Sequence, residues 1–403
     1  MKKIIIIGGG SSGLTCAINS KTDNNEVIVL EKNSSVGKKI LVTGNGRCNY
    51  FNDDQDINHY HSSNTELISD FINENRINKV LPFFESLGIL PDIKDGYYYP
   101  KSNQAVSVKN ALELECINKG VKIITDVNVL EVSKDNDKFV IKTEKEEYLS
   151  DILVIATGSK ASPKTGSDGA GYEFAKSFGH SIIKPLPGLV QLVSNSKLKD
   201  ASGVRVKAEL SLSEDNDYIK SELGELQITD YGISGIVAMQ LSSHIARGLD
   251  EEKKEEISIN FLPGLEDPEN FIDNLNKNLN NRTISEILDG LLNYKLVNTI
   301  LNIANIDRNS YYDSLSQNQK DNLINTLTSY KIEINDTKGF DNAQICSGGI
   351  PLTELANNFE SKLVKDLYFT GEIIDINGDC GGYNLSFAWV SGMTAGDFIK
   401  TNN

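Results

Sequence analysis

Gly8, Gly10 and Gly13 stand at G-x-G-x-x-G spacing directly after the strand-like run Lys3–Ile7. In such a motif the first glycine permits a tight turn, the second leaves room for a pyrophosphate, and the third lets the next helix pack on the sheet. A helix beginning near Ser11 aims free backbone N–H groups and its positive dipole end at the same phosphates. Glu31 ends the following apolar run, NEVIVLE, where a carboxylate grips a ribose diol and its charge disfavours a 2′-phosphate. Strand, glycines, helix, strand and acid are in register for a dinucleotide.

NAD and FAD share this unit, and the end of the chain distinguishes them. YFTGEIIDINGDCGGYNLSFAWVSG combines a strand, a Gly-Glu step, Asp375, a double glycine and a helix start near residues 382–384. A helix N-terminus there offers backbone donors where negative charge collects on a reduced flavin. ATGSKASPKTGSDGAGY, residues 156–172, is a third glycine-rich crossing. Distant chain regions converging on one long cofactor suit FAD better than NAD; the alternative is that these stretches are turns at strand ends. A further stretch, GKKILVTGNGRCNYFN at residues 37–52, crowds turn residues and donors directly after the nucleotide unit.

The elements that must position these residues follow from periodicity. KKIIII, NEVIVL and DILVI read as buried strands, residues 64–87 as helical, and VKIITDVNVLEVSKDNDKFVIKT as alternating strands. From about residue 186 the texture changes, first to short alternating strands (VRVKAEL, GELQITD, EISINF), then to Asn-, Leu- and Ile-rich helical spacing almost without glycine. The expected fold is α/β: a bipartite Rossmann-like FAD-binding domain, residues 1–185 and 338–403, interrupted by a β-barrel-like unit, 186–266, and a helical unit, 267–337.

With these stretches assembled, the chain resembles the BaiN/YhiN-type family of FAD-dependent oxidoreductases, described as bile-acid double-bond reductases or aminoacetone oxidases. IIIIGGGSSGLTCAI, GKKILVTGNGRCNYFN, GELQITDYGISG and the last segment carry the likeness. The resemblance implies that Gly8, Gly10, Ser12 and Gly13 form the pyrophosphate turn and Glu31 the ribose acid, with Lys32 and Lys39 near the nucleotide. It implies that Thr43, Gly46, Arg47, Cys48 and Asn49 pass the flavin in a TG-x-GRCN loop. It also implies that Gly371, Glu372, Asp375, Gly382, Tyr383 and Asn384 supply the C-terminal flavin contacts. Asn45 stands where many members have glycine, and Cys380 where threonine is common.

The resemblance further implies NADH or NADPH as a transient electron donor and reduction of a carbon–carbon double bond conjugated to a ketone. A second complete G-x-G-x-x-G is missing between the first domain and the insertion. Oxidation of aminoacetone or another small amine by oxygen is the alternative; a non-catalytic flavin-binding or sensing protein, or an RNA-modifying flavoprotein, is of a different class. Cys48 and Tyr383 are the candidate catalytic groups, without an assigned acid. Cys48 reads as a packing residue, a substrate-positioning group or half of a flavin-linked dithiol reached by Cys380. Tyr97, Tyr98 and Tyr99 either pack or line an apolar substrate surface.

Net charge is −16, from 40 basic and 56 acidic side chains, which weighs against nucleic acid and against an anionic membrane surface as partners. The expected partner is a small molecule, with no signal for subunit number. Five cysteines without a CxxC pair suit a reducing, cytoplasmic setting, and no apolar run is long enough to span a bilayer. No metal site is expected: His59 and His61 form an H-x-H pair in NHYHSSN, read as an exposed loop with no acid placed beside it.

Overall fold

The computed structural model describes residues 1–279 and 281–402. The KKIIII run becomes β1 (Lys2–Ile7), the centre of a five-stranded parallel sheet. Its neighbours are β2 (Asn25–Leu30) and β4 (Ile152–Ile155), with β3 (Lys122–Ile124) and β5 (Leu367–Phe369) at the edges. Ile4, Ile5 and Ile6 are fully buried, as a continuous apolar run must be when both faces of a parallel sheet are covered.

The longest helices of this unit are α1 (Ser11–Ser20), α2 (Ala105–Asn118) and α3 (Tyr383–Thr401). The approach of α3 to α1 depends on glycine. A Cβ at Gly392 would lie 2.5 Å from the Ser12 carbonyl oxygen, and one at Gly396 would lie 2.8 Å from that of Cys16. Larger residues at this spacing would force the helices apart. An antiparallel sheet of Val129–Asp135, Lys138–Thr143 and Glu147–Ser150 belongs to the same unit.

Residues 64–87 form three short α-helices, Ile68–Phe71, Glu74–Ile77 and Val80–Ser86, instead of one helical stretch. Asn73 explains the break: its side chain accepts from the Arg76 N–H and starts a new helix, the competition with the backbone that asparagine brings.

The chain divides into two compact units, Met1–Leu186 with Gln344–Asn403, and Pro187–Ala343. The second has its own core, built on a seven-stranded antiparallel sheet and the helices Ile236–Asp250, Pro268–Asn278, Ile284–Leu288, Tyr294–Ile303 and Gln317–Thr328. Tyr330–Ile334 pairs with Glu255–Asn260 on one edge, and Asp336–Thr337 pairs with Leu192–Val193 on the other. Only Asn335 separates those two strands, so one run of chain joins both edges and curls the sheet into a barrel-like form.

Candidate functional site

The four glycines after β1 do different work. A Cβ at Gly8 would lie 2.4 Å from the Ala156 carbonyl oxygen, one at Gly9 2.6 Å from Val36 Cγ1, and one at Gly13 2.0 Å from the Gly8 carbonyl oxygen. A Cβ at Gly10 would meet nothing within 4 Å. Three positions are closed by packing, while Gly10 faces open space at the start of α1. No side chain caps that helix, so its first-turn N–H groups are available to an anion.

Glu31 is buried at the end of β2. Its Oε2 accepts from the Gly9 N–H at 2.8 Å, and its Oε1 accepts from the Asn33 N–H at 2.8 Å and Asn33 Nδ2 at 2.7 Å. A carboxylate has about four acceptor positions, so Glu31 braces the turn and retains capacity for a ribose hydroxyl. Lys32 pairs at the surface with Asp168, 2.6 Å away. Lys39 reaches Glu372 at 2.6 Å, and the other oxygen of Glu372 accepts from the Cys346 N–H at 3.0 Å.

The loop after Lys39 is wound into left-handed backbone: φ is +54° at Gly44, +55° at Asn45, +82° at Gly46 and +61° at Cys48. Such a run in non-glycine residues is held only by its surroundings. Thr43 donates its hydroxyl to the Ile40 carbonyl at 2.7 Å, and its own carbonyl accepts from the Cys48 N–H at 3.0 Å. Cys48 is fully buried; burial pushes its thiol up to about 12, against a smaller lowering by Thr43. It is therefore a packed thiol at neutral pH. All five cysteines are free.

Arg47 lies exposed with its guanidinium 4.7 Å from the Tyr99 ring centre. The tyrosine run is the strand Tyr97–Pro100: Tyr98 turns inward against Phe51 and donates to Asp53, while Tyr99 carries Arg47. Gly46 is exposed, and its nearest Cβ neighbour would be the Leu41 carbonyl at 3.9 Å. Asn49 Oδ1 is buried without a hydrogen-bond partner, 3.2 Å from where a Cβ at Gly382 would stand.

The C-terminal residues meet the first part of the chain at several points. Gly371, at φ +76°, fits because its missing Cβ would lie 2.5 Å from Ser12 Oγ. Ser12 donates to the Thr370 carbonyl at 3.2 Å, and the Gly371 N–H donates to Ser391 Oγ at 2.9 Å. Glu372 meets Lys39, and Gly382 meets Asn49. Asp375 accepts from the Ser63 N–H at 2.9 Å and the Ser62 hydroxyl at 3.2 Å. Asn384 folds back on Gly378, accepting from its N–H and donating to its carbonyl, both at 2.8 Å. Gly382 precedes α3 without a side-chain cap, and Tyr383, buried, opens that helix.

His59 and His61 are not in a bare loop. His59 Nδ1 lies 3.0 Å from one Asp379 oxygen, His61 Nε2 lies 2.8 Å from the other, and His59 Nε2 lies 3.1 Å from Asp54. Asn377–Gly378 also pairs in antiparallel fashion with Tyr60–His61. The acid arrives from more than 300 residues away, so no local spacing announces it. Among the described residues no group of three or more His, Cys, Asp or Glu has metal-holding geometry, and no helix is long and apolar enough to cross a membrane.

Over 403 residues, 98% of each chain, the sequence is 39% identical to the 3-dehydro-bile acid delta(4,6)-reductase of Clostridium scindens. It is 29% identical over 392 residues to the ribosomal RNA dihydrouridine synthase of Escherichia coli, covering 96% of this chain and 95% of that one. The fold is similar to the 3-ketosteroid-delta4-(5alpha)-dehydrogenase of Rhodococcus jostii RHA1, with a TM-score of 0.53 at 13% identity over 99% of this chain and 97% of that one. The family described as HI0933-like protein Rossmann domain matches residues 2–398; the chain belongs to it and is an FAD-dependent oxidoreductase.

Proposed function

We propose that this protein reduces a carbon–carbon double bond conjugated to a carbonyl, with NADH or NADPH as the electron donor. The observation that carries this reading is the 39% identity across 98% of the chain to a reductase of 3-dehydro-bile acids. The site's chemistry fits. Gly10 and the first N–H groups of α1 hold the pyrophosphate, Glu31 the ribose, and Asn49 with the uncapped start of α3 a polar edge of the flavin. Bound there, FAD supplies hydride to the electron-poor carbon of the substrate.

The chain's own residues set geometry and charge. Lys39 and Glu372 tie the loop that carries Arg47 to the C-terminal segment. Arg47 presents fixed guanidinium donors beside Tyr99, suited to a carbonyl or carboxylate oxygen. Tyr383 keeps its phenolic proton: burial and the nearby acids Asp54 and Asp379, together with Tyr97, push its pKa well up.

A second reading is reduction of a uracil ring, whose C5–C6 double bond is also conjugated to a carbonyl. The full-length similarity to an RNA dihydrouridine synthase supports it, and the net charge of −16 weighs against an RNA substrate. The test is anaerobic absorbance of the purified flavoprotein titrated with NADH and NADPH, then with a 3-oxo-4-ene steroid or ribosomal RNA. Bleaching by a nicotinamide and recovery with the steroid supports the proposal. Recovery with RNA alone favours the second reading, and bleaching only by aminoacetone, with recovery in oxygen, overturns both.

A further inference from the structure

Both ring nitrogens of His59 face carboxylate oxygens, Nδ1 at 3.0 Å from Asp379 and Nε2 at 3.1 Å from Asp54. A carboxylate only accepts, so the ring protonated on both nitrogens satisfies both contacts at once. The second oxygen of Asp379 meets His61 Nε2 at 2.8 Å. The His59 ring stacks on Tyr383, with centroids 4.5 Å apart and planes 21° apart. A charged imidazole stacked on an aromatic face gains a cation–π attraction that a neutral one lacks.

We propose that His59 and Asp379 are positioning residues for the flavin end of the site: imidazolium His59 clamps the turn at residues 379–382 and the Tyr383 ring, and its deprotonation loosens the start of α3 and weakens FAD binding. The proposal rests on the reading of that helix start as a flavin contact. The turn needs such a clamp. Gly381 and Gly382 sit at φ +138° and +98°, so nothing in their own backbone preference holds them. The turn is also tied by the Asp379 N–H to the His59 carbonyl at 2.9 Å, by Asn52 Nδ2 to the Gly381 carbonyl at 2.9 Å, and by Asn384 to Gly378 and Asp379.

Burial pulls the His59 pKa down, but hydrogen bonds to Asp379 and Asp54 and their charges outweigh it and hold the group above its ordinary value. Other groups facing the cluster are Asp56 and Tyr97, which act on Tyr383, Cys380 beside Asp379, and Tyr60 set edge-on to Tyr383. With a raised pKa the clamp is complete at low pH and is lost as pH rises through the folded value.

The experiment measures FAD dissociation by flavin fluorescence from about pH 5 to about pH 9, alongside imidazole NMR titration of the four histidines. Affinity in the wild type is expected to fall by roughly threefold to tenfold through the NMR-defined His59 transition, and His59→Gln is expected to remove that step. Asp54→Asn, an exposed change that spares the core, should move the step to lower pH together with the NMR pKa. A wild-type affinity with no step, or a step that persists in His59→Gln and stays fixed in Asp54→Asn, overturns the proposal while the flavin reading stands. Failure to bind FAD at any pH overturns both.

Discussion

Lys39 and Glu372, 333 residues apart in the chain, form a half-buried ion pair at 2.6 Å that ties the first part of the first unit to its last. The segment Pro187–Ala343 intervenes between them in sequence. Removing only the ammonium leaves Glu372 paired with the Cys346 N–H, and an under-paired carboxylate in a partly buried place is costly. Lys39→Met is expected to lower stability by about 1–3 kcal/mol. The double change Lys39→Met with Glu372→Gln should recover part of that loss, as chemical denaturation of the two variants will show.

Substitutions at Gly10 and Gly13 test cofactor binding apart from folding. A Cβ at Gly13 would stand 2.0 Å from the Gly8 carbonyl oxygen, whereas one at Gly10 meets no atom within 4 Å. Gly13→Ala is expected to displace α1 and destabilise the protein even without cofactor, by about 1–3 kcal/mol. Gly10→Ala should leave the thermal stability of the apoprotein unchanged and weaken FAD by about tenfold or more, since a methyl group occupies pyrophosphate space. Melting curves and FAD binding on both variants check the pair; an unaffected FAD affinity in Gly10→Ala would reject the pyrophosphate role.

Much of this was legible in the residues because local chemistry dictates it. The buried isoleucines of β1, the glycine turn and the acid after β2 each follow from one neighbourhood of sequence. So do the alternating strands Arg205–Glu214 and Asp217–Ile228. The His59–Asp379–His61 cluster was not legible, because its parts meet only when Asn377–Gly378 folds back to pair with Tyr60–His61. The break of residues 64–87 was missed for a different reason: apolar spacing fits one helix, yet the Asn73 side chain outcompetes the continuous backbone. The bracing of the turn by Glu31 was also hidden, since a ribose-facing acid and a turn-bracing acid have the same sequence signature.

Cys48 tests whether the loop works by redox chemistry or by shape. With its thiol pushed up to about 12, roughly one molecule in 100,000 carries a thiolate at pH 7. Cys48→Ser keeps size and the short side chain at a left-handed position, at the cost of burying a hydroxyl. The rate of flavin-dependent turnover is therefore expected to stay within about tenfold of the wild type. Loss of all turnover with FAD still bound would assign the sulfur a chemical role.

Glu255 provides a pH test confined to the second unit. It is fully buried in the strand Glu255–Asn260, and neither carboxylate oxygen has a hydrogen-bond partner. Burial first, then the neighbouring Glu214, raises its pKa to about 7, with Lys253 opposing. Between the ordinary value of 4.5 and about 7, the folded state binds more protons than the unfolded one, so this group's contribution falls as pH rises through that window. Glu255→Gln, neutral at every pH, should remove the decline: near parity with the wild type at about pH 4.5, and greater stability by about 1–3 kcal/mol at about pH 8. The buried His180, whose pKa is lowered chiefly by burial, adds a pH slope of opposite sign common to both proteins. It cancels when the variant is compared with the wild type at each pH. Urea denaturation at the two pH values gives that difference directly, and an equal difference at both would mean that folding does not raise the Glu255 pKa.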